Sequence, residues 1–304
     1  MPLQLTIDAM KGMFPTGDPA ILNAFVRKQY VLDRAGILKD ARRCAWFFAN
    51  LEHESGGFNL NGFVKNLTEN IGAYTHARIA QLWPQRFPGG AAEVARRFGT
   101  GPGWQNKAFD SIYGNRMGNR PDTNDGSLFI GRGGPQWTGR DGYEALARYL
   151  SQLIPGLGKI TAEQAIGYAT KPEYQPEVCV AFWMWKNLNR FADANNWIGL
   201  VVAWNGGKNG LADRNAKLAG NNPHIMRLKE VDRIAAPIEA LPEKPKPETK
   251  PGPKPGTTAG GAVVAGGAAA AGAGIWTGDL LAAAMTFGIV AMLAAILIIL
   301  WRRK

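Results

Sequence analysis

Apolar positions recur at helical spacing through most of the first 236 residues, with polar positions between them. Helices are predicted at roughly 20–34, 40–55, 75–83, 91–98, 141–153, 161–169, 173–188 and 196–204. The run Cys44-Ala45-Trp46-Phe47-Phe48-Ala49-Asn50-Leu51 is apolar almost all round and reads as a buried helix. Period-two alternation is scarce, and the best strand candidate is Leu128-Phe129-Ile130, ahead of Gly131-Arg132-Gly133-Gly134. Gly-rich loops separate the helices, and such loops display ligand-binding groups. The expected fold class is mainly α.

The pattern changes after residue 236. Residues 237–258 alternate proline with charge and cannot bury a core. They predict an extended linker, spanning up to roughly 60 Å if polyproline-like. Residues 259–278 are rich in Gly and Ala. Leu280 to Trp301 then runs for 22 residues without a charge and ends in Arg302-Arg303-Lys304. That length suits one crossing of a bilayer, with Trp276 and Trp301 as interfacial anchors. The expected organisation is a globular domain over 1–236, the linker, the Gly/Ala segment, and a transmembrane helix with a basic tail over 279–304. The basic tail favours a C-terminus inside. A single pass then places the globular domain on the periplasmic or outer face of a bacterial inner membrane. A hairpin through the Gly/Ala segment is the alternative topology. Met1 to Asp18 lacks the apolar stretch of a secretory signal.

The chain carries a net charge of +11, and residues 1–236 hold 28 Lys/Arg against 20 Asp/Glu. An anionic partner is favoured: nucleic acid, anionic lipid or an anionic wall polymer. The basic residues are dispersed, which argues for general attraction and against specific nucleic-acid recognition. Cys44 and Cys179 both sit in apolar segments and read as small buried side chains. His53, His76 and His224 lack ligand spacing, so neither metal nor cofactor is expected.

Four runs can carry chemistry. Glu52-His53-Glu54-Ser55-Gly56-Gly57 closes the buried helix at a glycine stop. A carboxyl there can face a cleft on rigid backbone, and partial burial would keep its proton available as a general acid. A solvated helix end is the plainer reading of the same residues. Glu69, in Thr68-Glu69-Asn70-Ile71, is a second carboxyl that could face it; a loop or capping acid is the plainer alternative. In Gly131 to Arg140, Gln136 and Thr138 flank Trp137 and would share one side of an extended segment. Asn205 closes an apolar helix before Gly206-Gly207, and either caps it or binds an N-acetyl sugar.

Taken together these runs resemble glycoside hydrolase family 19, the chitinase and phage-endolysin family with a lysozyme-like α fold. The resemblance spans about residues 40–216. It rests on His53 to Gly57, on Tyr113-Gly114-Asn115-Arg116-Met117-Gly118-Asn119, on Gly131 to Arg140 with Tyr143 following, and on Asn205 to Arg214. It implies Glu54 as general acid, Glu69 as the second carboxylate, and Thr138 as a positioner of the attacking water. It further implies His53, Gln136, Tyr143 and Asn205 on the substrate, with Arg214 bracing the acidic centre. It also implies inversion of the anomeric centre without a covalent intermediate. One departure stands out: Lys65-Asn66-Leu67 lies nearer the usual spacing of the second acid, with Lys where Glu is expected. Glu69 keeps the carboxylate and fits the distance to Trp83-Pro84 and Phe87.

The expected function is endo-acting hydrolysis of β-1,4 bonds in peptidoglycan, as in a phage or prophage endolysin that lyses cells. Alternatives are a chitinase, and a non-catalytic, membrane-tethered glycan-binding protein. A holin-like activity would use the C-terminal span alone. The expected partners are a peptidoglycan or chitin-like polysaccharide and the lipid bilayer.

Overall fold

The computed structural model describes residues 3–61 and 64–218. The described chain is mainly helical: α1 (Ile7–Met13), α2 (Pro19–Arg27), α3 (Gln29–Arg34), α4 (Ala41–Glu54), α5 (His76–Leu82), α6 (Gly90–Phe98) and α7 (Trp104–Tyr113) come first. Then follow α8 (Asp125–Leu128), α9 (Arg140–Leu153), α10 (Ala162–Ala169), α11 (Gln175–Trp185), α12 (Asn189–Asp193), α13 (Trp197–Asn205) and α14 (Leu211–Ala216). A two-stranded antiparallel ribbon, β1 (Val64–Lys65) and β2 (Thr68–Glu69), is the one sheet among the described residues.

Two hydrophobic cores organise these elements. The larger gathers Phe14, Phe25, Phe47, Phe48, Phe58, Trp137 and Trp183 from the N-terminal helices and from the region of α9 to α13. Each such side chain contributes about 1.5–3 kcal/mol by burial. Trp137 is fully buried, donates from Nε1 to the Val178 carbonyl at 3.0 Å, and stacks on Trp185 at 5.1 Å. The smaller core joins α5, α6 and α7 around Ile79, Trp83, Phe87, Val94, Phe109 and Tyr113. The seam between them is sharp: Phe129 belongs to the larger core and its neighbour Ile130 to the smaller.

A buried ionic knot fastens the lobes near this seam. Asp125 is completely buried and is bound by both Arg140 and Arg120 at 2.8–3.0 Å. Hydrogen bonds from Arg140, then from Arg120, hold its carboxyl far below the ordinary range. The start of α9 receives its cap from the other lobe. Arg140 N–H donates to Asn119 Oδ1 at 2.8 Å, and Asp141 N–H to the Met117 carbonyl at 3.0 Å. Gly118, at φ +74°, lets the loop approach, since a Cβ there would lie 2.0 Å from the Asp141 carboxylate.

Several expectations change. The predicted helix over 20–34 is two helices, broken at Lys28. There the Gln29 carboxamide takes the Val26 carbonyl and pairs both backbone groups of Leu5. Leu128-Phe129-Ile130 is not a strand. Leu128 ends α8 and Phe129 N–H returns to the Asp125 carbonyl, because the Asp125 knot winds a helical turn there. Bridges form instead at Arg132, with Thr68 and with Trp137. Cys44 and Cys179 are both buried and free. Among the described residues no helix is long and apolar enough to cross a membrane. The linker, the Gly/Ala segment and the predicted span of Leu280 to Trp301 lie outside the described residues.

Candidate active site

Glu54 is the last residue of α4, and the backbone beyond it is tightly specified. Ser55 Oγ donates to the Leu51 carbonyl at 2.6 Å and accepts from Phe58 N–H at 2.9 Å. Gly56 and Gly57 take φ of +60° and +73°. Phe58 follows at φ +56°, a conformation that costs a bulky L-residue roughly 1–2 kcal/mol. Its burial against Phe14 and Phe25, at 5.2 and 5.7 Å, offsets that strain. The Glu54 side chain is 16% exposed and accepts from Arg214, which is fully buried and also donates to Asn50. Two further contacts join the end of α4 to the same region: His53 Nδ1 meets Asp213 Oδ2 at 2.7 Å, and Glu52 pairs with Lys217. Burial pushes the Asp213 carboxyl up, but the His53 hydrogen bond and the Lys217 charge outweigh it and hold it below its ordinary value.

Glu69 is placed by the ribbon. Asn66 and Leu67 both have positive φ, 52° and 57°, as a two-residue hairpin turn requires. Lys65 pairs with Thr68 and Val64 with Glu69. Positions 65 and 68 therefore share one face of the ribbon, and 64 and 69 the other. The ribbon is stitched to the Gly-rich loop: Gly133 N–H donates to the Leu67 carbonyl and Glu69 N–H to the Gly131 carbonyl, both at 2.9 Å. The Glu69 carboxyl is 6% exposed, accepting from Tyr74 Oη at 3.0 Å and from Gly131 N–H at 3.3 Å. Burial raises its pKa; the Tyr74 and Gly131 hydrogen bonds and the Arg132 charge only partly oppose that.

The Gly131 to Arg140 loop links the two carboxyls. A Cβ on Gly131 would lie 2.6 Å from Gln136 Oε1 and 3.4 Å from Glu69 Oε2, so those side chains converge over this glycine. Gly134 packs on the ring of Phe58, four residues past Glu54. Gln136 is not in an extended segment. It closes a turn at φ +59°, with its N–H on the Gly133 carbonyl at 3.1 Å and its Nε2 on the same oxygen at 3.0 Å. The half-buried Thr138 hydroxyl donates to the Gln136 carbonyl at 3.0 Å, which leaves its oxygen able to accept from water.

The other expected site residues all have partners within the protein. Tyr143 is fully buried; its hydroxyl donates to the Ile130 carbonyl at 2.9 Å and accepts from Arg132 at 3.1 Å. Arg214 is fully buried against Glu54 and Asn50. His53 turns one nitrogen to Asp213 and the other against Gly210, where a Cβ would lie 2.2 Å away. Asn205 accepts from Gly207 N–H and donates to the Asn209 carbonyl, both at 2.9 Å. It holds its own loop, and one N–H and one lone pair of its carboxamide remain for a ligand. Sequence reasoning missed Tyr74, Tyr113, Asn50, Asp125 and Asp213. Tyr113 and Asp213 lie inside motifs that were read, whereas Tyr74 and Asn50 look like ordinary core positions.

No protein-family model matches the chain. A Haemophilus influenzae protein described as a glycosyl hydrolase family 19 domain-containing protein is 29% identical to it over 184 residues, 60% of this chain and 80% of that protein. The likeness is distant and is to the same family that the four runs resemble.

Proposed function

We propose that the chain is a glycoside hydrolase that cleaves β-1,4 bonds of N-acetylated glycans by inversion, with peptidoglycan as its substrate. The observation that carries this reading is the loop from Gly131 to Thr138. It touches the buried Glu69 carboxyl at Gly131 and packs against the turn behind Glu54 at Gly134. A pair of carboxyls bridged by a polar loop suits acid–base attack by water on a glycosidic bond. The distant Haemophilus influenzae relative supports a glycoside hydrolase. The hairpin register supports Glu69 as the second acid, because its face is the one closed by Gly131 and Tyr74.

The expected cost of Glu54→Gln or Glu69→Gln is a roughly 10²–10⁴-fold loss of glycan release from purified sacculi. Unchanged release in both would mean that neither carboxyl is catalytic, and no release by the parent itself would leave glycan binding without hydrolysis, the alternative that Lys65 first suggested. Clearing of chitin alone in zymograms would make the protein a chitinase. The resemblance gives proton donation to Glu54. The burial of Glu69 favours its own protonated form and supports the reverse assignment. An aryl glycoside with a good leaving group separates them, since only the variant lacking the donor keeps substantial activity on it. The uncharged run from Leu280 to Trp301 extends the proposal to a membrane-anchored lysis enzyme acting on the wall outside the bilayer.

A further inference from the structure

Tyr74 is built into the fold as firmly as Glu69 itself. The chain reaches it through a 3-10 turn over Ile71–Ala73, and Tyr74 N–H closes that turn on the Ile71 carbonyl at 3.1 Å. Thr75 then caps α5, its hydroxyl accepting from Arg78 N–H at 3.1 Å. Tyr74 before the cap and Ile79 within α5 have the spacing of a hydrophobic staple, and both belong to the smaller core. From α7 the Gln105 carboxamide donates to the Gly72 and Tyr74 carbonyls at 3.3 and 3.4 Å. The Tyr74 ring stands edge-on to Phe109 at 5.2 Å, and the residue is buried.

This framework delivers one hydroxyl to one oxygen. Tyr74 Oη donates to Glu69 Oε1 at 3.0 Å. Burial, then the Glu69 charge, push the Tyr74 hydroxyl up, so it stays a donor. The other oxygen, Oε2, lies at the Gly-rich loop, with Gly131 N–H at a longer 3.3 Å. A Cβ on Gly131 would lie 3.4 Å from Oε2 and 2.6 Å from Gln136 Oε1, so two acceptors share the space over this glycine. Gln136 keeps its oxygen on that side while its Nε2 donates to the Gly133 carbonyl at 3.0 Å. Facing acceptors call for a proton between them, carried by the carboxyl or by water. The other groups around Glu69 are engaged or neutral. Arg132 is turned to the Leu128 and Ile130 carbonyls and the Tyr143 hydroxyl at 2.7–3.3 Å, and burial pushes the Tyr113 and Tyr143 phenols up. Arg78 acts on the Tyr74 hydroxyl only through space and donates to Gln81 at 2.8 Å.

We propose that Tyr74 is a positioning residue for Glu69: its hydroxyl occupies Oε1, so that Oε2, in the space shared with Gln136, is the oxygen through which the carboxyl exchanges its proton. As a base, Oε2 takes a proton from water while the water oxygen bonds to the anomeric carbon. As a donor, it gives its proton to the leaving oxygen while the glycosidic bond breaks. The inference rests on Glu69 being one of the two carboxyls of a glycosidase site.

Tyr74→Phe tests it, because the ring contact with Phe109 survives and only the hydroxyl is lost. The carboxyl 13C signal of Glu69 is titrated in the full chain in detergent, and is assigned by its loss in Glu69→Gln. Removing a donor disfavours the carboxylate, so the midpoint should rise by about one pH unit. On sacculi kcat should fall roughly tenfold with KM within about twofold of the parent. The limb of the pH–rate profile set by Glu69 should move to higher pH, whether Glu69 is base or donor. Val94→Ala, which thins the same core from α6, should lower stability and leave the midpoint in place. A midpoint that stays or falls in Tyr74→Phe, or that rises as much in Val94→Ala, would overturn the proposal. So would a kcat within about twofold of an active parent. Titration needs no turnover. A parent that releases no glycan, with a midpoint that still rises in Tyr74→Phe, therefore defeats the hydrolase reading and leaves the hold of Tyr74 on Glu69 standing.

Discussion

The two carboxyls are held by opposite means. Glu54 stands at the end of a 14-residue helix, and its surroundings are fixed by two ion pairs, Arg214 on Glu54 and Lys217 on Glu52, and by the hydrogen bond between His53 and Asp213. Glu69 sits on a two-residue strand among neutral donors, the Tyr74 hydroxyl and the Gly131 N–H. One position is secured by charge pairing across α4 and α14, the other by exclusion of water from the smaller core. The difference teaches that a carboxyl can be positioned equally firmly with or without a countercharge in contact. The two arrangements should then fail under different perturbations.

The largest structural effect is expected on the ionic side. Arg214→Met removes a fully buried cation and leaves Glu54 and Asn50 without their donor. Breaking one side of such a pair costs about 3 kcal/mol or more. Urea unfolding measures it, and adding Glu54→Gln should recover part of the loss because no lone charge then remains. A cost below about 1 kcal/mol would mean that packing and not charge holds this end of the site.

A smaller effect, on rate and not on stability, is expected where the two sides meet. In Gly131→Ala the new methyl meets the far end of the Gln136 side chain, which can swing away. Stability should change by less than about 1 kcal/mol. Displacement of Gln136, with pressure on Glu69 Oε2, should lower kcat/KM about tenfold, since small misplacements of positioning groups are costly. Matched thermal melts and rates separate the two. Full activity in this variant would remove the loop from the catalytic arrangement.

The two sides were also unequally legible in the sequence. Glu54 could be read locally, because an apolar helix, a glycine stop and a carboxyl all lie between Cys44 and Gly57. Glu69 could not. Its placement depends on Gly131, 62 positions away, and on a hairpin turn whose Leu67 adopts the left-handed conformation without being Gly or Asn. The mainly helical class was readable from spacing, yet α7 was missed although Trp104, Ala108, Phe109, Ile112 and Tyr113 fall on one helical face. Gly101 and Gly103 before it and Gly114 after it gave that region the look of a loop. Asp125 was invisible for a different reason: a charged residue buried by two arginines has the same local sequence as a solvated one. Asn205 and Tyr143 sat in recognised motifs, but motif membership does not separate a residue that meets substrate from one that holds the loop that does.

The smallest effect sharpens the neutral side and carries a definite sign. Burial raises the folded pKa of Glu69 above its ordinary value near 4.5. Below that value the carboxyl is protonated in folded and unfolded chains alike, and it imposes no cost. As pH rises, the unfolded chain releases its proton first, so stability falls across the window from about 4.5 up to the raised folded pKa. Glu69→Gln has no proton to lose and keeps an oxygen for the Tyr74 hydroxyl, at the expense of the weaker acceptor for Gly131 N–H. At pH 8 the variant should be more stable than the parent by on the order of 1 kcal/mol, about 2–4 °C in Tm. The advantage should shrink as pH falls and be gone by about pH 4. If Glu69 is the proposed second acid, its removal should abolish turnover while stabilising the fold, as burial without a contacting countercharge predicts. Glu54→Gln, which strands the buried Arg214, should lower stability at the same pH. Equal signs for the two substitutions would erase the distinction between the charged and the neutral side of the site.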